Sequence, residues 1–390
     1  MLSWYLPLEG FHFLCSALCA PMGCFCFFSA LVFVLGALRG CECQTIDSAT
    51  ISSGTIFLDD KGDEVHMHGL GALPPGSHPQ EDDASGRPKY YFVGSTAKRQ
   101  HFGADGSVFW LSQGVNLYST YDLMDWHLEG MVFENTSITT PIPPGEPEKS
   151  VYRIERPKLV YDPAQRLYVL FFHLDTSHFK LGMVGVATSL SIAGTYEFKG
   201  GFQPDGQRSL DMTIFQDADR LFVARSVNNL YAGISELTSD YINTTTAGVF
   251  TKGPRCEGIA LWKDYDEKGY YMLGSHLSGW NANPAIMSYS KGATLRETTT
   301  WEVQGNPSGS KTTFNSQSTF VFKVGNRKGK VDDPLFIFMA DRWNFQGKGS
   351  VGNATYIWLP MYREKTTGKF VIDGLDQNDG NGEWKVSDYL

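Results

Sequence analysis

Past Cys43 this chain of 390 residues has a single cysteine, Cys256. Its body therefore cannot rest on a disulfide framework, and it holds no cysteine pair at metal spacing. Charge is also scarce: 19% of residues are Asp, Glu, Lys or Arg, and the net charge is −9. No basic patch stands out for phosphates, which excludes a nucleic-acid partner. No long stretch carries the 3.6-residue apolar period of a helical protein, and no cluster of ligand residues calls for a metal or another cofactor. The Trp-Asp and Gly-His signatures of WD repeats do not recur. What is abundant is aromatic residues, at 14%, and glycine, with 41 copies. Many rings, many glycines and few charges favour an all-β fold whose stability comes from packing.

The first 44 residues differ from the rest. Cys15, Cys19, Cys24, Cys26, Cys41 and Cys43 all lie there, and Phe25–Leu38 (FCFFSALVFVLGAL) is strongly apolar. Such a run suits a signal peptide or a membrane anchor. Three sequons begin at Asn135, Asn243 and Asn353. Leader and sequons together set the expectation of a secreted protein, or a lumenal or extracellular one anchored through residues 1–44, with a single domain over 45–390.

Within that domain one pattern returns five times. A short apolar run follows a turn at Tyr90–Ser95, Leu167–His173, Leu221–Ser226, Tyr270–His276 and Leu335–Asp341. A partner run precedes each of the last four, at Lys158–Tyr161, Met212–Phe215, Ile259–Trp262 and Thr319–Phe322. Each pair reads as a β-hairpin. Further strand-like runs follow at Gly182–Thr188, Tyr231–Glu236, Ala285–Ser290 and Tyr356–Tyr362. Five units of about four antiparallel strands predict a five-bladed β-propeller. A β-sandwich would have no reason to repeat at this period. The segment Pro141–Glu148 then reads as a surface loop between the first two units.

The first strand of a propeller blade lines the central channel, so groups at the starts of these strands converge. Glu155, Asp211 and Glu257 stand at the starts of the second, third and fourth units, and Gln317 at the fifth. The matching stretch of the first unit, His66–Gly69, has no carboxylate. Grouped carboxylates push one another's pKa apart, which suits a general acid working with a group that activates water, as in glycoside hydrolysis. Trp280 and Trp343 follow recurrent strands directly, where rings could stack on the apolar faces of sugars.

These stretches resemble glycoside hydrolase family 43, and within it the exo-β-1,3-galactanase-like branch. The likeness is carried by HMHG (His66–Gly69), IERPKLVYD (Ile154–Asp162), VGVATS (Val184–Ser189), SLDMTIFQD (Ser209–Asp217), CEGIALWK (Cys256–Lys263), SGWNANP (Ser278–Pro284), NSQSTF (Asn315–Phe320) and MADRW (Met339–Trp343). The resemblance implies a five-bladed propeller and an inverting exo-glycosidase. It implies Glu257 as general acid, Asp211 as the carboxylate that tunes it, and Glu155 or Gln317 as the group that handles water. The first-blade Asp base of most of the family is missing, as it is in this branch. The implied substrate is β-1,3-galactan or arabinogalactan; a monomer is expected. His68, Asn229, Trp280, Asn281 and Trp343 are the expected sugar contacts. The rival readings are another activity of the family (on arabinosyl or xylosyl linkages) and a carbohydrate-binding propeller without turnover.

Overall fold

The structure, a computed structural model, describes residues 45–390 except 74–75, 80–85, 97–98, 103–107, 147–151, 246–250, 265–267, 280, 328–332, 343–353 and 376–378. The leader and its cysteines, the sequon at Asn353, Trp280 and Trp343 lie outside the described residues.

Five four-stranded antiparallel sheets form the blades of a propeller. Blade one pairs β2 (His68–Leu73), β3 (Tyr90–Ser95), β6 (Gly114–Thr120) and β7 (His127–Glu134), with the hairpin β4 (Arg99–Phe102) and β5 (Val108–Leu111) inserted between β3 and β6. Blade two runs β8 (Arg153–Asp162), β9 (Leu167–Asp175), β10 (Met183–Ser189) and β11 (Glu197–Phe202). Blade three runs β12 (Ser209–Asp217), β13 (Arg220–Val227), β14 (Tyr231–Glu236) and β15 (Thr251–Lys252). Blade four runs β16 (Glu257–Lys263), β17 (Gly269–Ser275), β18 (Ala285–Lys291) and β19 (Glu302–Gly305). Blade five runs β20 (Gln317–Asn326), β21 (Pro334–Arg342), β22 (Thr355–Arg363) and β23 (Phe370–Ile372). The five recurrent runs of the sequence are the second strands, β3, β9, β13, β17 and β21. These are covered on both faces, so their residues are apolar without alternation.

Each gap between neighbouring blades is filled by one apolar cluster. Leu73, Tyr91 and Val93 meet Leu159 and Leu170. Val160 and Val169 meet Met212 and Val223. Phe222 and Ala224 meet Ile259 and Met272. Trp262 and Leu273 meet Phe336 and Phe338. The last gap, between blades five and one, is filled by the largest rings: Trp126 lies edge-on to Trp358 at 5.8 Å and to Phe92 at 5.1 Å. Full burial of one such side chain contributes about 1.5–3 kcal/mol.

Among the described residues each blade is built from one continuous stretch of chain, with the β4–β5 hairpin as an insertion in the first, so no blade combines strands from the two ends. Closure comes instead from this aromatic cluster and from β1 (Thr50–Ser53), which pairs antiparallel with β24 (Gly382–Lys385). The Ser53 hydroxyl then accepts a hydrogen bond from the Trp358 amide at 3.1 Å. The inner strands touch in a ring, β2 to β8, β8 to β12, β12 to β16, β16 to β20 and β20 to β2.

One sequence expectation changes. The partner run that pattern reading did not find in the first unit exists as β2, whose sequence HGLGAL is hidden by its glycines. Asn135 is buried, and its amide donates to the carbonyls of Ser112 (2.9 Å) and Tyr152. Asn243, by contrast, is exposed.

Candidate active site

All five inner strands carry an irregularity in register near their starts. It falls between His68 and Gly71, Glu155 and Lys158, Ser209 and Met212, Glu257 and Ala260, and Ser318 and Phe320. A bulge bends the strand and re-aims the side chains around it. Three of them use left-handed backbone, at Gly69 (φ 64°), Arg156 (φ 53°) and Gly258 (φ 60°). A Cβ on Gly258 would also lie 2.7 Å from Gln317 Cγ, so glycine is required there by conformation and by space.

The result is a cavity of about 900 Å³ at one end of the channel. Glu155, Asp211, Glu257 and Gln317, the four residues singled out in the sequence, all line it. So do His68, Asn229 and Asn281. Asn229 sits with φ 57° between β13 and β14, and its carbonyl accepts from Arg255 Nε at 3.0 Å. Asn281 caps the loop after β17 by donating to the Ser278 carbonyl at 3.4 Å. His68 is 1% exposed, and burial together with His66 pushes its pKa down to about 3, so it faces the cavity neutral.

Arg156 organises the centre. Its guanidinium donates to the Ser318 carbonyl at 2.8 Å, to Asp211 Oδ2 at 3.0 Å and to Gln317 Oε1. Asp211 Oδ2 also accepts from the Gly258 amide at 2.9 Å. Burial works against ionisation of Asp211, but Arg156, His173 and the Gly258 N–H outweigh it and hold the carboxyl below its usual value. Glu257 has the opposite fate. Burial first, and then the negative charge of Asp211, push it up to about 8. Two carboxyls in one cavity are thus driven apart, one ionised and one protonated near neutral pH.

Gln317 Nε2 donates to Glu257 Oε1 at 3.3 Å and to Ser275 Oγ at 2.9 Å. Glu155 turns the other way, to His173 Nδ1 at 3.0 Å and Arg153 Nη1 at 3.4 Å. Beneath the floor, Lys158 Nζ donates to the carbonyls of Gly69, Leu70 and Pro157. Asp341 Oδ2 accepts from the Gly69 amide at 2.6 Å, and burial raises its pKa to about 6. The Cys256 thiol, next to Glu257, is pushed up to about 12 by burial and by Glu257 and Asp211, which leaves it inert.

Among the described residues, Glu155, His173 and Asp211 have ligand atoms within 4.8 Å of one another, a spacing that could suit a metal ion. Both ring nitrogens of His173 face carboxylates, however, and Asp211 is held by Arg156. The set is better described as an ion-pair network.

Pattern reading missed Arg156, His173 and Asp341. Arg156 stood beside Glu155 in the ERPK stretch, but nothing in that pattern says that its backbone turns left-handed and sends the guanidinium across the channel.

No family model matches the chain, and no curated protein matches it. Solved structures do. An exo-β-1,3-galactanase from Phanerochaete chrysosporium, determined with β-1,3-galactotriose, is 28% identical, with 83% of this chain and 67% of that one covered and a TM-score of 0.64. An exo-β-1,3-galactanase from Clostridium thermocellum is 27% identical, with 83% and 65% covered and a TM-score of 0.64. A family 43 β-1,3-galactosidase is 26% identical, with 88% and 64% covered and a TM-score of 0.67. The chain spans about two thirds of the length of these proteins. With the propeller, the bulged inner strands and the divided carboxyls in place, the chain is similar to the exo-β-1,3-galactanases and β-1,3-galactosidases of glycoside hydrolase family 43, and the likeness supports a glycoside hydrolase of this kind.

Proposed function

We propose that this enzyme removes galactose from the ends of β-1,3-galactan or arabinogalactan chains with inversion at the anomeric carbon. The observation that carries the reading is the divided pair: Glu257 raised to about 8 beside an Asp211 held ionised by Arg156. Glu257 gives its proton to the leaving oxygen. A water attacks the anomeric carbon from the opposite face and loses a proton to a carboxylate, so that charge and atoms balance.

The placement of the side chains favours Glu155 as the group that takes this proton. Gln317 is hydrogen-bonded to the acid itself, from the adjacent blade. An inverting pair leaves room for sugar and water, roughly 6.5–9.5 Å between carboxyl groups. Glu155 stands two blades from Glu257, with Asp211 on the blade between. In this reading Gln317 orients Glu257, and Asp211 sets its protonation. The cavity is large enough for more than one sugar unit, and the two solved relatives with galactotriose or galactanase in their names support the β-1,3-galactan class. We also read the protein as exported, on the strength of its apolar leader and the exposed sequon at Asn243, and as a monomer.

The test is product analysis on β-1,3-galactan, β-1,3-glucan, arabinan and xylan, with the anomer followed by proton NMR. Release of α-galactose is expected. Arabinose or xylose as sole product overturns the substrate; release of β-galactose overturns the mechanism. Glu155→Gln should lower kcat more than Gln317→Ala and should abolish the acidic limb of the pH profile. A milder effect in Glu155→Gln assigns the water to Gln317.

A further inference from the structure

Glu155 does not stand alone on its strand. Its cross-strand neighbour in the β8–β9 ladder is His173, which is 1% exposed. His173 Nδ1 lies 3.0 Å from Glu155 Oε2, and Nε2 lies 3.1 Å from Asp175 Oδ2. A carboxylate oxygen only accepts, so a ring nitrogen facing one must carry the proton. Both nitrogens do so here.

Asp175, 0% exposed, is itself fixed by three backbone amides: Thr176 at 2.9 Å, Leu181 at 2.8 Å and Gly182 at 3.0 Å. These amides belong to the turn that carries Phe179 and Lys180 into the cavity wall. Phe179 lies along the His173 ring, with centroids 6.3 Å apart and planes 22° from parallel, and the Arg153 guanidinium covers its face at 4.4 Å. The charged groups facing His173 are thus Glu155 and Arg153 from β8, Asp175 from β9 and Asp211 from β12.

We infer that His173 is a positioning residue, a cation hydrogen-bonded between Asp175 and Glu155 that holds the Glu155 carboxylate in place for the water-activating step. The inference rests on the reading of Glu155 given above. A neutral imidazole could donate to only one of its two partners. Burial favours that neutral form, but the two carboxylates outweigh it and push the ring up to about 10. The charge is a consequence of the arrangement. One buried cation between two carboxylates also explains why so many acids can share this side of the channel.

The experiment combines steady-state kinetics on galactan and an aryl β-galactoside with nitrogen-15 NMR of the imidazoles, using the full chain. His173→Ala should lower kcat on the order of 10²-fold, the loss typical of a displaced catalytic group, with KM changed by less than about threefold. His173→Asn keeps a donor near the Nδ1 position and should recover about tenfold of that loss. The His173 signals, identified by their disappearance in the Asn variant, should stay those of a doubly protonated ring from about pH 5 to 9. In Asp175→Asn the ring should titrate at a lower pH than in the wild type. A His173 ring that titrates near about 6.5 in the wild type overturns the inference. So does a folded His173→Ala variant with kcat within about threefold of wild type. If the Ala variant does not fold, the Asn variant and the wild-type spectrum decide. Wild-type activity that survives both His173 substitutions overturns the positioning role alone, whereas a wild-type chain inactive on every galactoside overturns the functional reading.

Discussion

Glu257→Gln should abolish turnover of galactan and, at neutral pH, make the protein more stable. The carboxyl stands at about 8 in the folded chain against 4.5 when unperturbed, because it is buried and faces Asp211. The folded state therefore binds more protons than the unfolded one between those two values. Stability must fall as pH rises through that window, from about 4.5 to 8, and change no further from this source above it. At pH 7 the full shift corresponds to up to about 3 kcal/mol. The cavity is open to solvent, which reduces the net figure to about 1–2 kcal/mol. A glutamine has the same shape, cannot ionise, and can still accept through Oε1 the hydrogen bond that Gln317 Nε2 now gives Glu257 at 3.3 Å. For a domain of this size, about 2 °C in melting temperature accompanies each kcal/mol. The variant should thus melt roughly 2–4 °C above wild type at pH 7. The gap should widen towards pH 8.5 and vanish near pH 4.5. Thermal melts of both proteins across this range are the assay. A variant that melts at or below the wild-type temperature at pH 7, or by a margin that does not depend on pH, refutes the assignment of a raised pKa to this residue.

Asp211→Asn removes the charge that helps to keep Glu257 protonated, so the basic limb of the wild-type pH profile, expected near 8, should move to lower pH; a limb that stays in place would mean that burial alone sets the acid. Gly258→Ala should damage both stability and rate, because the new Cβ meets Gln317 Cγ at 2.7 Å on backbone with φ 60°; a melting temperature within about 1 °C of wild type would show that the bulge has slack.

The propeller was legible in the sequence because its most buried strands are covered on both faces. Leu167–Asp175 and Pro334–Arg342 can only be apolar and aromatic, so their recurrence stood out. The strands that escaped notice are those whose surroundings ask less of the side chain. In β2 the glycines are there because Lys158 and the Pro157 carbonyl press against Gly71, and the strand reads like a loop. The outer strands β15 and β19 are short and partly exposed, so little in TK or EVQG marks them. The four cavity residues were placed by position in the repeat, and all four face the cavity. Their charge states were not legible from the residues themselves, and only the family resemblance set Glu257 apart as the acid and Asp211 as the carboxylate that tunes it. Glu155, Asp211 and Glu257 look alike in the sequence, and what separates them is the reach of Arg156 and His173, which depends on backbone dihedrals and on blades far apart in the chain. The burial of Asn135 was not legible for a related reason: a three-residue sequon does not report its surroundings.

One strained residue contributes to the different fates of the carboxyls, beside the burial that raises Glu257. Arg156 is not a glycine, yet it holds φ 53°, a conformation that costs about 1–2 kcal/mol for most side chains. The bulge behind it swings the guanidinium out of its own blade, blade two, to Asp211 on blade three and to Gln317 and the Ser318 carbonyl on blade five. Those charge-assisted hydrogen bonds offset the strain. They also decide which acid is stabilised as an anion. Asp211 receives Arg156 directly and ionises. Glu257 receives no hydrogen bond from Arg156 among those the structure describes, and it feels the ionised Asp211 as a like charge. Moving the guanidinium to Glu257 would favour its ionised form instead. Backbone conformation at one bulge therefore helps to set the electrostatics of the cavity, and all five inner strands carry a comparable irregularity near their starts, which lets a blade re-aim a side chain into the cavity without disturbing the packed strands behind.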